Sequence, residues 1–304
     1  MRFNWKKFFA GACLSLTLLM PQAQAAEPMP EESAANWQLI RNALELSSQQ
    51  KSFDSSVETK ASVQATEGTK FRLTITAKGS SLLSNNKNQV SHSTGTYQAE
   101  IQLNDFNNTY SGGYEQYSEG KGKKFTSYTK EGEGWISKVT ELDPEFVKLF
   151  HDGVKGYVDM IQDSADAVLV EEKENIAEIK MVPHPGMTLP EITTVVKDKK
   201  FLDLWNKVSP FLADLTPENI EIHVFIDRKT GAMTGVNTSL SKWLKDELVL
   251  LSRRPEIASV PMLKGIDLSS LDCSLTMESR MNPVTQDFTV TVPKEVKKNA
   301  KRSK

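Results

Sequence analysis

Apolar and polar residues alternate along much of this chain. Across 55–65, Val57, Thr59, Ala61, Val63 and Ala65 alternate with Glu58, Lys60, Ser62 and Gln64. Phe71, Leu73 and Ile75 alternate with Arg72 and Thr74. Tyr97, Ala99, Ile101 and Leu103 alternate with Gln98, Glu100 and Gln102. A period of two sends successive side chains to opposite faces, so these segments predict antiparallel strands with one face covered and one wet. Thr, Ser, Gln and Lys at the polar positions exclude a doubly wound parallel sheet, whose strands read as near-continuous apolar runs. Gly112-Gly113 and Gly120-Lys121-Gly122 read as turns between further strands, the last of which carries Trp135 and Ile136.

The period then changes. Trp37, Ile40, Ala43 and Leu44 predict a helix over 35–49. Pro144 after Asp143 opens a second, reaching 163, with Phe146, Phe150, Val154, Tyr157 and Ile161 at helical spacing. A third, over 197–212, carries Phe201, Trp205, Val208 and Leu212, and Pro210 kinks or ends it. Between them a hairpin is expected, 167–170 with 176–182, turning at Lys173-Glu174-Asn175. Ile220, Ile222, Val224 and Ile226 alternate again, followed by the tight turn Asp227 to Gly231 and a return strand over 233–240. Residues 241–265 fit either helix or strand. A last strand pair is expected from Leu271, Cys273, Leu275 and Met277 with Phe288, Val290 and Val292. The pattern predicts one domain, an antiparallel sheet with helices laid against one face.

The first residues change the compartment. Arg2, Lys6 and Lys7 precede an apolar run from Phe8 to Met20, Pro21 breaks it, and Ala23-Gln24-Ala25 offers small residues for cleavage. This is the pattern of a secretory signal peptide at 1–25, too short to span a bilayer as a permanent helix. Residues 26–34 then read as a flexible leader, 35–293 as the domain, and 294–304 as a basic disordered tail. The expected product is exported to the periplasm or extracytoplasmic envelope and soluble after cleavage. Loss of three basic residues leaves 34 against 39 acidic ones, a net charge of about −5. That balance gives no electrostatic reason to expect nucleic acid. The tail, with Lys294, Lys297, Lys298, Lys301, Arg302 and Lys304, offers contact with an anionic membrane surface or cell-wall polymer. Cys273 is the one cysteine left after cleavage, so no intramolecular disulfide forms, and its register favours a buried, inert thiol.

Chemistry is sparse. None of His92, His151, His184 and His223 stands at metal-ligand spacing with Cys, His or Glu. There is no nucleophile elbow, Ser-x-x-Lys motif or phosphate-cradling loop. Carboxylates are numerous, so an acid pair for glycan cleavage stays open. A non-enzymatic protein without cofactor is expected.

Three segments carry a resemblance: Tyr128 to Lys138 with its Gly-Glu-Gly-Trp-Ile-Ser-Lys step, the Ile226 to Gly231 hairpin, and the closing Val292-Pro293-Lys294-Glu295-Val296. In this order they resemble a group of bacterial envelope proteins with the LolA/LppX-like half-barrel fold. The resemblance implies an α+β fold, a curved antiparallel sheet forming a half-barrel wrapped around helices, and an apolar cavity between the layers. A lipid or other apolar ligand would be held there by Trp37, Phe71, Leu73, Tyr97, Ile101, Trp205, Ile222 and Val224. The competing expectation is a structural or interaction protein of the cell envelope with a filled core, using the wet sheet face, a Tyr110/Tyr114/Tyr117 cluster or the basic tail.

Overall fold

The computed structural model describes residues 30–65, 70–85, 89–121, 124–141, 162, 165–184, 220–253 and 267–302. Helix α1 (Glu31–Ser48) opens them. A meander follows: β1 (Ser52–Gln64), β2 (Phe71–Asn85), β3 (Gln89–Leu103), β4 (Phe106–Lys121), β5 (Lys124–Glu131) and β6 (Gly134–Glu141). A second series comprises β7 (Ala165–Lys173), β8 (Ile176–Pro183), β9 (Glu221–Asp227) and β10 (Met233–Ser239). Helix α2 (Ser241–Ser252), β11 (Asp272–Asn282), helix α3 (Lys294–Asn299) and β12 (Lys301–Arg302) complete the set.

All twelve strands form one sheet in the order β12-β6-β5-β4-β3-β2-β1-β11-β10-β9-β8-β7. Neighbours pair antiparallel except β12, which runs parallel to β6 through Lys301 opposite Ile136 and Arg302 opposite Ser137. This corrects the expected α+β half-barrel. Strand makes up 62% of the described residues and helix 20%, and the sheet is mixed and open. The described helices are not a filling around which the sheet wraps: α1 lies at the β7–β10 end, α2 packs on β11 beside Cys273, and α3 packs with residues of the opposite face.

The pairing registers define those faces. Leu73 stands between Val63 and Ile101, and Ile75 between Ala61 and Ala99. Val63, Ala61 and Thr59 in turn face Cys273, Leu275 and Met277 on β11. This apolar face continues through Val236, Val224 and Ile179 to β7. There α1 covers it: Trp37, Ile40 and Ala43 are buried against Ala165, Ala167, Ile179, Met181, Val224, Ile226 and Met233. The same helix closes the sheet edge. Ser33 Oγ accepts from the Ala167 N–H at 2.9 Å, Asn36 Nδ2 donates to the Ala167 carbonyl at 3.0 Å, and Trp37 Nε1 donates to that of Ala165 at 2.9 Å. Side chains thus take the place of a neighbouring strand, which blunts an edge that would otherwise template association.

A smaller core sits on the polar face. After β11 the chain turns back across the strand ends. Its backbone is held by Ser52 Oγ, which accepts from the Phe288 N–H at 3.2 Å, and by Ser84 Oγ, which accepts from that of Val290 at 3.0 Å. Val290, Val292 and Val296 are buried there with Val90, beside Tyr117, Tyr128, Trp135 and Phe288. So 288–292 is an extended strap and not the partner of β11. β11 has β1 and β10 on its two sides, leaving no free ladder for a third strand. The expected disordered tail is in part ordered: α3 packs Val296 into this core, and Lys297 Nζ meets Glu119 at 2.6 Å.

Two other expectations change. The first helix begins at Glu31, inside the expected leader, with Glu31 and Glu32 favourably placed in its positive first turn. Gly112 and Gly113 lie in the middle of β4 and form no turn. Residues 1–29, and the expected helices over 144–163 and 197–212, lie outside the described residues apart from helical Gln162. Among described residues, no helix is long and apolar enough to cross a membrane.

Candidate functional site

The apolar face divides into a sealed part and an open part. Trp37 of α1 and Val224 on the sheet beneath it are buried against each other, with Ile222 partly buried beside them. Phe71, Leu73, Tyr97 and Ile101 lie together on β2 and β3 and are only half-buried. Trp205 lies outside the described residues. The predicted ligand residues are therefore one face but two environments. Trp37, Ile222 and Val224 are core. Phe71, Leu73, Tyr97 and Ile101 belong to a larger apolar surface that also takes in Val57, Ala61, Val63, Ile75, Leu103, Leu275 and Met277, all half-buried. At the β3–β4 turn this surface emerges fully, with Phe106 57% and Tyr110 47% exposed.

Two tyrosines lie flat on it. Tyr97 on β3 covers Gly112 on β4, and Tyr114 on β4 covers Gly95 and Gly79. Glycine leaves room for a ring to rest on the strand backbone, an arrangement in which the aromatic ring supplies packing that glycine lacks. A Cβ on Gly112 would stand 2.5 Å from Tyr97 Oη, and its three nearest neighbours would all be atoms of that side chain. A Cβ on Gly95 would also strike the Lys78 carbonyl at 2.5 Å. Gly112→Ala should therefore cost about 1–3 kcal/mol and be largely relieved by Tyr97→Ala. Gly95→Ala should stay destabilised whatever replaces Tyr114, because backbone cannot move aside. Urea denaturation of the four single and two double variants checks this; equal rescue at both sites would contradict it. The sequence signal was available, since Tyr110, Gly112 and Tyr114 alternate, but without the register Gly112 reads as a turn residue. Tyr117 lies on the other face from Tyr110 and Tyr114, so the expected tyrosine cluster does not assemble.

The polar face carries hydroxyls and paired charges. Ser80 meets Thr94 at 3.2 Å and Ser62 meets Ser274 at 2.9 Å. Glu58 pairs with Lys78 at 3.0 Å and Lys60 at 3.3 Å. Beside the strap, His92 stacks on Tyr117 with ring centroids 4.2 Å apart, and Lys130 Nζ lies 5.9 Å from the Trp135 ring centre. Glu115 receives Lys130 at 2.9 Å and His92 at 3.3 Å. The Lys130 bond holds the Glu115 carboxyl below its ordinary 4.5, with partial burial opposing and His92 assisting. A carboxyl lowered in the folded state stabilises above its unfolded value, and that contribution is lost as pH falls through the folded one. Stability should fall below pH 4.5 for this reason, and Lys130→Met should move the Glu115 carboxyl back upward in an NMR titration. An unchanged titration would remove Lys130 as the cause. Burial pushes the Tyr117 phenol up, Glu115 and Glu295 adding to it.

A solvent-open depression of about 400 Å³ is lined by Thr76, Lys78, Thr96, Tyr97, Gln98, Ser111 and Gly112. Five of these positions face the polar side, so this is not an apolar cavity between layers. His223 also faces the polar side, its Nδ1 2.6 Å from Glu178 Oε1. Cys273 sits half-buried on the apolar face near the start of α2, and burial pushes its thiol up. Among the described residues no group of three or more His, Cys, Asp or Glu side chains is placed to hold a metal ion.

No protein-family profile matches the chain, and no curated protein matches it. Among solved structures, the crystal structure of a DUF1329 family protein from Desulfovibrio piger aligns over 82% of this chain and 92% of its own, at 14% identity and a TM-score of 0.22.

Proposed function

We propose that this chain is an exported, non-enzymatic protein of the cell envelope that binds a lipid or other apolar ligand against the open part of the apolar face. The observation that supports this is the half-buried surface of β1–β3 and β11, where Phe71, Leu73, Tyr97 and Ile101 adjoin Val63, Leu275 and Met277. A contiguous apolar patch of this kind marks an interaction site. An acyl chain laid on it gains about 0.8 kcal/mol per buried CH₂.

Protein purified without detergent should release a lipid on solvent extraction and mass spectrometry, and should bind a fluorescent fatty acid. Leu73→Lys with Ile101→Lys should weaken that binding at least tenfold. Unchanged affinity in the folded double variant would overturn the reading. For the export step, N-terminal sequencing of the periplasmic protein should begin at Ala26.

A second reading, an envelope interaction protein with a filled core, is favoured by the sealed packing of Trp37 and Val224. Its basic segment would act through Lys294, Lys298, Lys301 and Arg302. Pull-down on isolated membranes and cell wall, with and without 294–304, tests it; equal recovery would remove the segment.

A further inference from the structure

The open depression on the polar face has a definite construction. Two adjacent rows of paired positions cross β2, β3 and β4: Thr76, Gln98 and Ser111 in one, Lys78, Thr96 and Gly113 in the next. Five positions carry polar side chains and the sixth carries none. A Cβ at Gly113 would meet only the Gly95 carbonyl, at 3.3 Å, so the space above it on this face is open. The open position of Gly113 thus leaves a notch beside a depression lined by hydroxyl, amide and ammonium groups, with Tyr97 and Gly112 completing that lining. Three strands at about 4.8 Å spacing make it roughly 10 Å wide. Its volume of about 400 Å³ falls within the roughly 300–1,000 Å³ of small-molecule sites.

The groups around the depression select the ligand. An apolar molecule would desolvate the hydroxyls of Thr76, Thr96 and Ser111 without replacing their hydrogen bonds, which is unfavourable. A strongly charged one finds the two ammonium groups of Lys60 and Lys78 balanced by the two carboxylates of Glu58 and Glu100 on the same face. Lys78 is 3.0 Å from Glu58, Lys60 is 3.3 Å from the same carboxylate, and Gln98 Nε2 donates to Glu100 at 2.7 Å. Hydroxyl side chains both donate and accept, and the Gln98 amide offers a second hydrogen and a carbonyl. Such a set complements a molecule whose own groups both donate and accept at close, regular intervals.

From this we propose that the depression across β2–β4 is a binding site for a neutral glycan, its sugar hydroxyls meeting Thr76, Thr96, Gln98 and Ser111. The site lies on the opposite face from the lipid surface and does not rest on it. Being open on its solvent side, it accepts an internal stretch of a longer chain as well as an end.

Titration of the signal-cleaved protein with maltotetraose and with tetra-N-acetylchitotetraose, followed by amide NMR, tests this. At least one should give saturable shifts centred on 76–78, 96–98 and 111–113. Ser111→Trp, which fills the depression from an exposed strand position, should weaken that binding at least tenfold. It should leave fatty-acid probe binding and the thermal midpoint unchanged. Gln98→Ala should weaken it severalfold, while Leu73→Lys, on the other face, should not. Absence of saturable shifts with both oligosaccharides at 10 mM ligand would overturn the proposal. So would shifts centred elsewhere, or binding that Ser111→Trp leaves intact. Loss of fatty-acid binding with glycan binding intact would count against the lipid reading alone.

Discussion

Trp37→Ala is expected to destabilise the protein by about 3–5 kcal/mol, the range for removing a large aromatic from a packed core. Trp37 is 1% exposed and touches the interior formed by β7 to β10. The substitution also strands the Ala165 carbonyl, whose partner is the indole N–H. Trp37→Phe separates the two effects: it keeps most of the volume, loses the bond, and should cost about 1–3 kcal/mol. A value near zero would mean that water replaces the indole at the sheet edge. Loss of α1 from β7 has a second outcome, measurable by light scattering. The backbone of Ala167, now held by Ser33 and Asn36, becomes an open strand edge, and concentration-dependent association should follow.

The second large effect is expected from truncation after Asn282. This removes Val290, Val292 and Val296, each buried, together with the partly buried Phe288. Burial of each such side chain contributes about 1.5–3 kcal/mol, offset in part by the ordering of the strap itself. The net loss should be several kcal/mol by urea denaturation. Tyr117, Tyr128 and Trp135 would then be newly exposed on the polar face. Binding of a hydrophobic dye should rise, and proteolysis should begin in β5–β6 before β7–β10. Val292→Asp tests the same contact without removing β12; if neither variant is less stable than the parent chain, the strap contributes no core.

The strands were legible where β-branched or aromatic residues alternate with charges, as at Val57 to Val63 and Tyr97 to Leu103. They were cut short where small residues carry the ladder. β2 continues through Gly79-Ser80-Ser81, and β4 through Gly112-Gly113, because their neighbours supply the hydrogen bonds and tyrosine rings supply the packing. Strand propensity there is set by the surroundings and not by the residues. The faces were legible too, since the predicted ligand residues of the described chain share one side. Which of them are sealed was not, because that depends on α1 crossing four strands more than a hundred residues away. Nothing local shows that β1 lies against β11, or that Phe288 to Val292 leaves the sheet. The half-barrel expectation failed at the same point: alternation reports which way side chains face, and carries no information on curvature or on which face each helix takes.

The position of β11 has a consequence for how the protein comes into being. β1–β6 and β7–β10 are each built from neighbouring strands, but among the described strands the two series are joined in the sheet through β11, which pairs Asp54 with Asn282 on one side and Asn237 with Glu278 on the other. During synthesis both meanders therefore emerge with an unpartnered inner edge, and neither can be joined until residues 272–282 are made. Pairings this distant along the chain are slow to form. An emerging chain with two open edges is both easy to keep unfolded and prone to pair wrongly. A refolding yield that falls steeply with protein concentration is the expected counterpart of a single late strand that unites the sheet.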